Sequence, residues 1–508
     1  MVIFSILSFI PALIIFLFAP GKYVLLSLLI LFASHHAMFI FARAAPWGYH
    51  SGSDPINDFH IASVITEDEH FELGHVGYGG RSAYSYYPFL HLASVMLQKV
   101  SSLPLAFVAL YVLPVFNALM VPTVLFFLNR DLFGLRGRTL GIATLLFATG
   151  WYYPSFQSAF VRESFAFPFA LISIWIATRI LRSGSRVYIA LISISFFTVF
   201  LSHHVTSYVL IAILVAMAFS SYVFHGNKKL NRVVFLLIIM LLIYTMFVVF
   251  DFASSQAGLM FRAVQSIFAI SYTPSVLAHY EPLRHYVVYS YYLILGALIM
   301  LGWVYVLRNA RKKNEVVITL SSLFILLFLT CILLRLSVSP HPWSWAYYMS
   351  LRGTIWAFIG VGIVAAIGLD RLAKFTAFLN LKNCIAMFLL FCMLSIGQFF
   401  QYPPLVNDPT MKPNISYTQY ISTVWSKKCT NHGSALLVAP YTEDLDAFET
   451  SRNMAPYAYL ECYFLDWMSY DRFNGYIPFV EEFFEKFLND SNVQVVYSNG
   501  GTQIGYNE

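Results

Sequence analysis

The chain is divided into about twelve apolar stretches whose connecting loops alternate in charge, and this pattern constrains the fold more than any other feature. The stretches run roughly over 2–19, 23–42, 103–128, 139–153, 164–181, 187–201, 206–224, 233–250, 286–307, 315–334, 353–370 and 384–399. Most approach the ~20 apolar residues that a helix needs to cross a hydrocarbon core. Backbone groups in lipid must be paired within the segment, so such stretches predict helices. The odd-numbered connections are short and basic. They carry Lys22; Arg130, Arg136 and Arg138; Arg179, Arg182 and Arg186; Lys228, Lys229 and Arg232; Arg308, Arg311, Lys312 and Lys313; and Arg371, Lys374 and Lys382. The positive-inside rule assigns these to the cytoplasm and places both termini outside.

The other loops carry the groups that could do chemistry. Asp54, Asp58, Glu67, Asp68, Glu69, Glu72, Glu163, Asp251, Glu281 and most histidines fall on the predicted outer side. A carrier would place polar groups near the bilayer centre. An enzyme acting on a lipid-linked substrate would line them along one face, which is the pattern here. A carrier or flippase for lipid-linked glycans remains the rival reading, but it calls for an internal repeat that the sequence does not show.

Composition agrees with this class. Hydrophobic residues make up 59% of 508 and charged residues 11%, against roughly 25% charged in soluble domains. The net charge of +6 conceals an uneven distribution: residues 400–508 hold 6 Lys and Arg against 13 Asp and Glu. The basic excess therefore lies in the membrane part and marks topology, not nucleic-acid binding. The N-terminal apolar run has no basic flank or small-residue cleavage site, so it reads as a retained span. Residues 400–508 mix helix-like stretches (ISYTQYISTVW, PFVEEFFEKFL) with strand-like ones (ALLVAP, VQVVYS). They predict a small outer α/β unit after a transmembrane domain over 1–399. Cys429 and Cys462 lie in that unit, where an oxidising compartment would permit a disulfide without requiring one. Cys331, Cys384 and Cys392 lie in spans and read as packing.

The large outer loop, 43–102, contains SGSDPINDFHIASVITEDEHFELGHVGYGGRSAYSYYPFLH. Asp54 and Asp58 are four apart, with His60 two residues on. A helix over 56–66 would place Asp58 near its N-terminus, which favours a carboxylate. There it could bind a divalent metal such as Mg or Mn, or take a proton from an acceptor hydroxyl; a solvated loop with a helix cap is the plainer alternative. The run Glu67, Asp68, Glu69, His70, Glu72, His75 reads more simply as a solvated face than as a second metal site. Arg162 and Glu163 open a span, where Arg162 could clamp a phosphate or simply pair with its neighbour. His203 and His204 sit in a tight outer connection. Arg284, among His279, Glu281 and His285, precedes another span. Arg352 ends RLSVSPHPWSWAYYMSLR, beside Trp343 and Trp345, and suits either a sugar phosphate or an interfacial belt.

This order of parts resembles the GT-C superfamily of membrane glycosyltransferases, with an acidic motif in the first large outer loop and a C-terminal outer domain. The nearest likeness is to archaeal members in which a Tyr-Tyr-Pro-x-x-His segment follows, here Tyr86, Tyr87, Pro88 and His91. Two details differ from the common pattern: Asp54 and Asp58 are separated by three residues, and the loop follows the second apolar stretch. The resemblance implies a polyprenyl-phosphate sugar as donor and transfer with inversion at the outer face. The acceptor is a glycan, lipid or protein. Asp58 and Asp54 become the catalytic or metal-binding carboxylates. Arg162, His203, His204, Arg284 and Arg352 become contacts to the donor phosphate, and His60, Glu163, Tyr86, Tyr87 and His91 position substrate. No WWD-type motif occurs in 400–508, so the resemblance favours transfer of a single sugar over a whole oligosaccharide.

Overall fold

The computed structural model describes residues 53–71, 86–148, 159–250, 282–308, 315–337 and 345–375, Gln157, scattered positions over 23–33, and four strands between 436 and 507. Two compact units emerge. One comprises residues 1–43 and 52–404, the other 44–51 and 405–508.

Among the described residues the first unit is entirely helical. Its elements are α1 (Ser53–Asp68), α2 (Phe89–Ser101), α3 (Leu105–Asp131), α4 (Gly137–Ala148), α5 (Arg162–Ser183), α6 (Arg186–Ser202), α7 (His204–His225), α8 (Lys229–Phe247), α9 (Pro282–Arg308), α10 (Glu315–Ser337) and α11 (Trp345–Phe375). Five helices or parts of them are long and apolar enough to cross a membrane: α3, α5, α7, α8 and Arg352–Leu372 of α11. Shorter apolar helices lie over Arg186–Ser202, Leu293–Arg308 and Val316–Ile332. The protein is an integral membrane protein. The expected spans at 2–19 and 384–399 lie outside the described residues.

Helix ends follow local chemistry. Gly184 and Gly226 take left-handed conformations and close α5 and α7. A π-helical turn at Val108–Val112 precedes Pro114 in α3, a place where a helix shifts register. Pro168 lies inside α5.

Two helices organise the bundle. α5 packs against α3, α6 and α7, and α11 packs against α4, α9 and α10. From Thr354 to Leu369, every residue of α11 is buried. Such an all-round apolar helix belongs at the centre. α8 instead exposes Phe235, Leu236, Leu242, Ile243, Met246 and Phe247, as a lipid-facing helix would. In lipid, helices gain no hydrophobic drive to associate, so close packing must hold them. Small residues supply it. A Cβ on Gly302 would collide with the Val364 carbonyl, and one on Gly368 with the Leu298 carbonyl, so α9 and α11 cross with their backbones in near contact.

The second unit contains β1 (Leu436–Val438), β2 (Tyr457–Glu461), β3 (Val493–Ser498) and β4 (Thr502–Asn507) in one sheet, ordered β1-β2-β4-β3. β1 and β2 are parallel; the other two pairs are antiparallel. The helix-like segments expected in this unit, and Cys429 and Cys462, lie outside the described residues.

Candidate active site

α1 presents Ile61, Ala62 and Ile65 to a small apolar core that also takes Val95 of α2. Asp58 lies on the same helical face at i, i+3, i+4, i+7 spacing, so the face that packs α1 also buries the carboxylate. Its exposure is 1%. The sequence allowed a solvated loop carboxylate at this position; the structure replaces that reading with a buried one. Rings carry the same contact onto α5: Phe59 meets Phe160 edge-on at 6.5 Å, and Phe89 meets Phe165 at 6.2 Å.

Asp58 is held from three directions. His91 Nε2 lies 2.9 Å from Oδ1, Arg162 Nε lies 3.0 Å from the same oxygen, and the Arg162 backbone N–H donates to Oδ2 at 3.2 Å. The last contact caps α5. Val161, its N-cap, is extended and offers no side-chain bond, so a carboxylate 104 residues away in the chain satisfies an orphan amide and meets the positive end of the helix. His91 is fully buried, and its Nδ1 makes no hydrogen bond. The ring proton therefore belongs on Nε2, facing Asp58. Burial keeps His91 below the usual histidine range even though Asp58 pulls the other way.

A second pair adjoins the first. Glu163 is buried in the first turn of α5, and Arg352 Nε meets its Oε2 at 2.8 Å. Neighbour pairing between Arg162 and Glu163 was one expectation; the structure instead gives each a distant partner. His203 Nε2 lies 3.9 Å from the same Glu163 oxygen. His203 is the N-cap of α7: its Nδ1 accepts from the Thr206 backbone N–H at 3.3 Å and lies 2.8 Å from the Thr206 hydroxyl. The imidazole proton thus sits on Nε2, toward Glu163. His203 is held well below the ordinary histidine range, first by burial and then by the charges of His204, Arg352 and Arg162. Arg162 and Glu163 are adjacent in the first turn of α5, which joins the two ion pairs into a single site.

The Tyr-Tyr-Pro segment borders this site. The Tyr87 ring lies 5.3 Å from His204 and 6.5 Å from Tyr244, while the Tyr244 hydroxyl donates to the Tyr86 carbonyl. Burial raises the Tyr87 phenol far above its usual range, so it stays protonated. Sequence reading missed Tyr244, which lies in an otherwise apolar span, and Thr206, whose position three residues after His203 is a readable capping signal.

The structure thus brings together Asp58, His91, Arg162, Glu163, His203, His204, Arg352, Tyr86 and Tyr87. Asp54 and His60 lie on α1 and Arg284 on α9, but their side chains fall outside the described residues. Among the described residues, no three His, Cys, Asp or Glu side chains converge as metal ligands. Asp58 instead offers both oxygens to hydrogen donors. Asp54, the other carboxylate of the expected metal pair, has its side chain outside the described residues. In the acidic run, Glu69 forms an exposed pair with Lys99 at 2.8 Å, the bond that lowers its pKa; Glu67, Asp68 and His70 are exposed, as on a solvated face.

Comparison with solved structures identifies the architecture. An oligosaccharyltransferase from Archaeoglobus fulgidus in its apo form aligns over 96% of this chain and 75% of its own, with 13% identity and a TM-score of 0.57. The chain shares the fold of that structure. AglB from the same organism, in complex with an inhibitory peptide and a dolichol-phosphate, aligns over 96% of this chain and 74% of its own, at 12% identity and a TM-score of 0.56. ArnT from Cupriavidus metallidurans, bound to undecaprenyl phosphate, aligns over 94% of this chain and 98% of its own, at 12% identity and a TM-score of 0.50. No protein-family model and no curated protein sequence matches this chain.

Proposed function

We propose that this chain is a GT-C membrane glycosyltransferase that moves a sugar from a polyprenyl-phosphate donor to an acceptor on the outer face of the membrane. The observation that carries this reading is the cluster at the start of α5, where Asp58, Glu163, Arg162 and Arg352 are all nearly buried. Buried ion pairs are a weak source of stability, and charges held at a membrane helix end favour a functional role. The AglB and ArnT structures, with dolichol-phosphate and undecaprenyl phosphate bound, support the donor class.

Charge placement favours an enzyme over a carrier. Within the five candidate spans, every Asp, Glu, Lys and Arg lies in the terminal turns, leaving the span centres without ionised groups. The outer side is assigned by the basic loops: the opposite end of α5 carries Arg179 and Arg182. The membrane region 1–399, with its large loop 43–102, does the chemistry in this reading, and 400–508 is a separate outer domain.

The donor enters from the outer leaflet. Arg162, Arg352 and the Nε2–H of His203 meet its phosphate, with His204 and Arg284 nearby. Tyr86, Tyr87, His60 and His91 bound the sugar and acceptor. Asp58, with Asp54 one turn earlier on α1, takes the acceptor proton. The acceptor oxygen bonds to the anomeric carbon as the bond from that carbon to the phosphate oxygen breaks, and the electron pair leaves on the phosphate. A single sugar is transferred, with inversion, to a glycan, lipid or protein. Incubation of purified protein with radiolabelled polyprenyl-phosphate sugars and a membrane extract tests this. Labelled product that depends on the protein supports the reading; intact donor that merely changes leaflet in liposomes supports the carrier instead.

A further inference from the structure

Each arginine of the cluster already has a carboxylate. Arg162 lies on Asp58 at 3.0 Å and Arg352 on Glu163 at 2.8 Å. Asp58 is also held without a guanidinium group. Asp58 keeps His91 and the Arg162 backbone N–H, and Glu163 lies in the first turn of α5 near His203. The guanidinium groups hang on longer, rotatable stems. The four charges sum to zero, so an added phosphate anion has no net positive charge to enter unless an arginine changes partner.

We propose that Arg162 and Arg352 are exchanged between two anions, so that the phosphate of a lipid-linked donor competes with Asp58 and Glu163 for them and its arrival unmasks Asp58. The consequence is atomic. Oδ1 of Asp58 bonds His91 Nε2 and has the Arg162 guanidinium against it in an ion pair, with Nε at 3.0 Å. When Arg162 turns to the phosphate, its guanidinium no longer covers an Oδ1 lone pair, while His91 and the Arg162 backbone N–H still orient the carboxylate. That lone pair can then accept a hydroxyl proton. A donor-free enzyme thus holds its carboxylate masked, and donor binding precedes acceptor activation. His91 is the positioning residue that makes the exchange productive.

This inference rests on the donor-phosphate reading of the site. Its test is equilibrium binding of undecaprenyl phosphate to the purified full chain in detergent. Asp58→Asn and Glu163→Gln remove a competitor and should each tighten binding about fivefold or more. Arg162→Gln and Arg352→Gln should weaken it at least tenfold. If the arginine variants weaken binding but the carboxylate variants do not tighten it, the exchange is wrong while the phosphate site stands. If the arginine variants bind like wild type, the phosphate reading fails and the exchange with it. A second measurement needs no variant: infrared difference spectra of wild type on adding undecaprenyl phosphate should show carboxylate stretching bands shifting as the arginines leave. Saturating lipid with unchanged carboxylate bands contradicts the proposal.

Discussion

Arg162 and Glu163 are neighbours in sequence that turn to different partners: Arg162 reaches Asp58 on α1 and Glu163 reaches Arg352 on α11. The first turn of α5 thereby ties an outer-loop helix to the central buried helix through charge. Stability and chemistry are coupled at that point.

The coupling makes Asp58 structural as well as chemical. Asp58→Ala would leave Arg162 buried beside an apolar methyl and remove the cap of α5. Breaking a buried pair on one side costs about 3–5 kcal/mol. Thermal unfolding in detergent should show a clear drop in Tm for Asp58→Ala and a smaller one for Asp58→Asn, whose amide oxygen keeps one of the two acceptors. Equal Tm values for wild type and Asp58→Ala would mean that the pair contributes nothing to the fold.

Arg352 tests geometry apart from charge. Arg352→Lys keeps a cation beside Glu163 but loses the planar fork that matches a phosphate. A charge-assisted contact of roughly 1.5–3 kcal/mol corresponds to about tenfold or more in affinity. Donor KM should rise by about that factor with Tm little changed. Steady-state kinetics with varied donor decide it: an unchanged KM removes Arg352 from the phosphate contact.

His203 sets a pH dependence. Burial holds its folded-state pKa well below the usual 6.5, so the folded protein resists a proton that the unfolded chain accepts. Stability is fully present above about pH 6.5 and is lost as pH falls below that value toward the folded pKa. His91 adds in the same direction. His203→Asn keeps an N-cap side chain for Thr206 and removes one titrating ring. Its Tm should fall less steeply than that of wild type between pH 7 and pH 5. Parallel curves would show that His203 is not a buried neutral ring.

The crossing of α9 and α11 gives a packing prediction. Gly368→Val has no room because the Leu298 backbone occupies the Cβ position. It should abolish monodisperse elution on size exclusion. Gly296→Ala, with open space around its Cβ, should elute as wild type does.

Much of this fold is legible in the sequence, and much of the site is not. Spans such as 164–181 and 206–224 are continuous apolar runs bounded by basic loops, so α5 and α7 follow directly. The burial of Asp58 was also readable: Asp58, Ile61, Ala62 and Ile65 share one helical face, and the acidic run beyond them obscures that pattern. The pairings were not readable. Arg162 and Asp58 are brought together by packing of α1 on α2 and of both against the start of α5, and no local spacing encodes which helices adjoin. The same holds for the Tyr244 hydroxyl on the Tyr86 carbonyl, across 158 residues. In the second unit, ALLVAP and VQVVYS contain β1 and β3. β2 holds a short readable apolar run, Tyr457–Leu460; β4 escapes notice because Thr502–Asn507 lacks one.

The central claim is that Asp58 receives the acceptor proton in a glycosyl transfer. Its most direct test is turnover of a polyprenyl-phosphate sugar by Asp58→Asn protein, compared with wild type at equal folded concentration. The account predicts a loss of at least ~100-fold, within the usual range for removal of a general base, with undecaprenyl phosphate still bound. Near-normal transfer by Asp58→Asn, and by a variant in which Asp54 is also Asn, would contradict it and take catalysis away from α1.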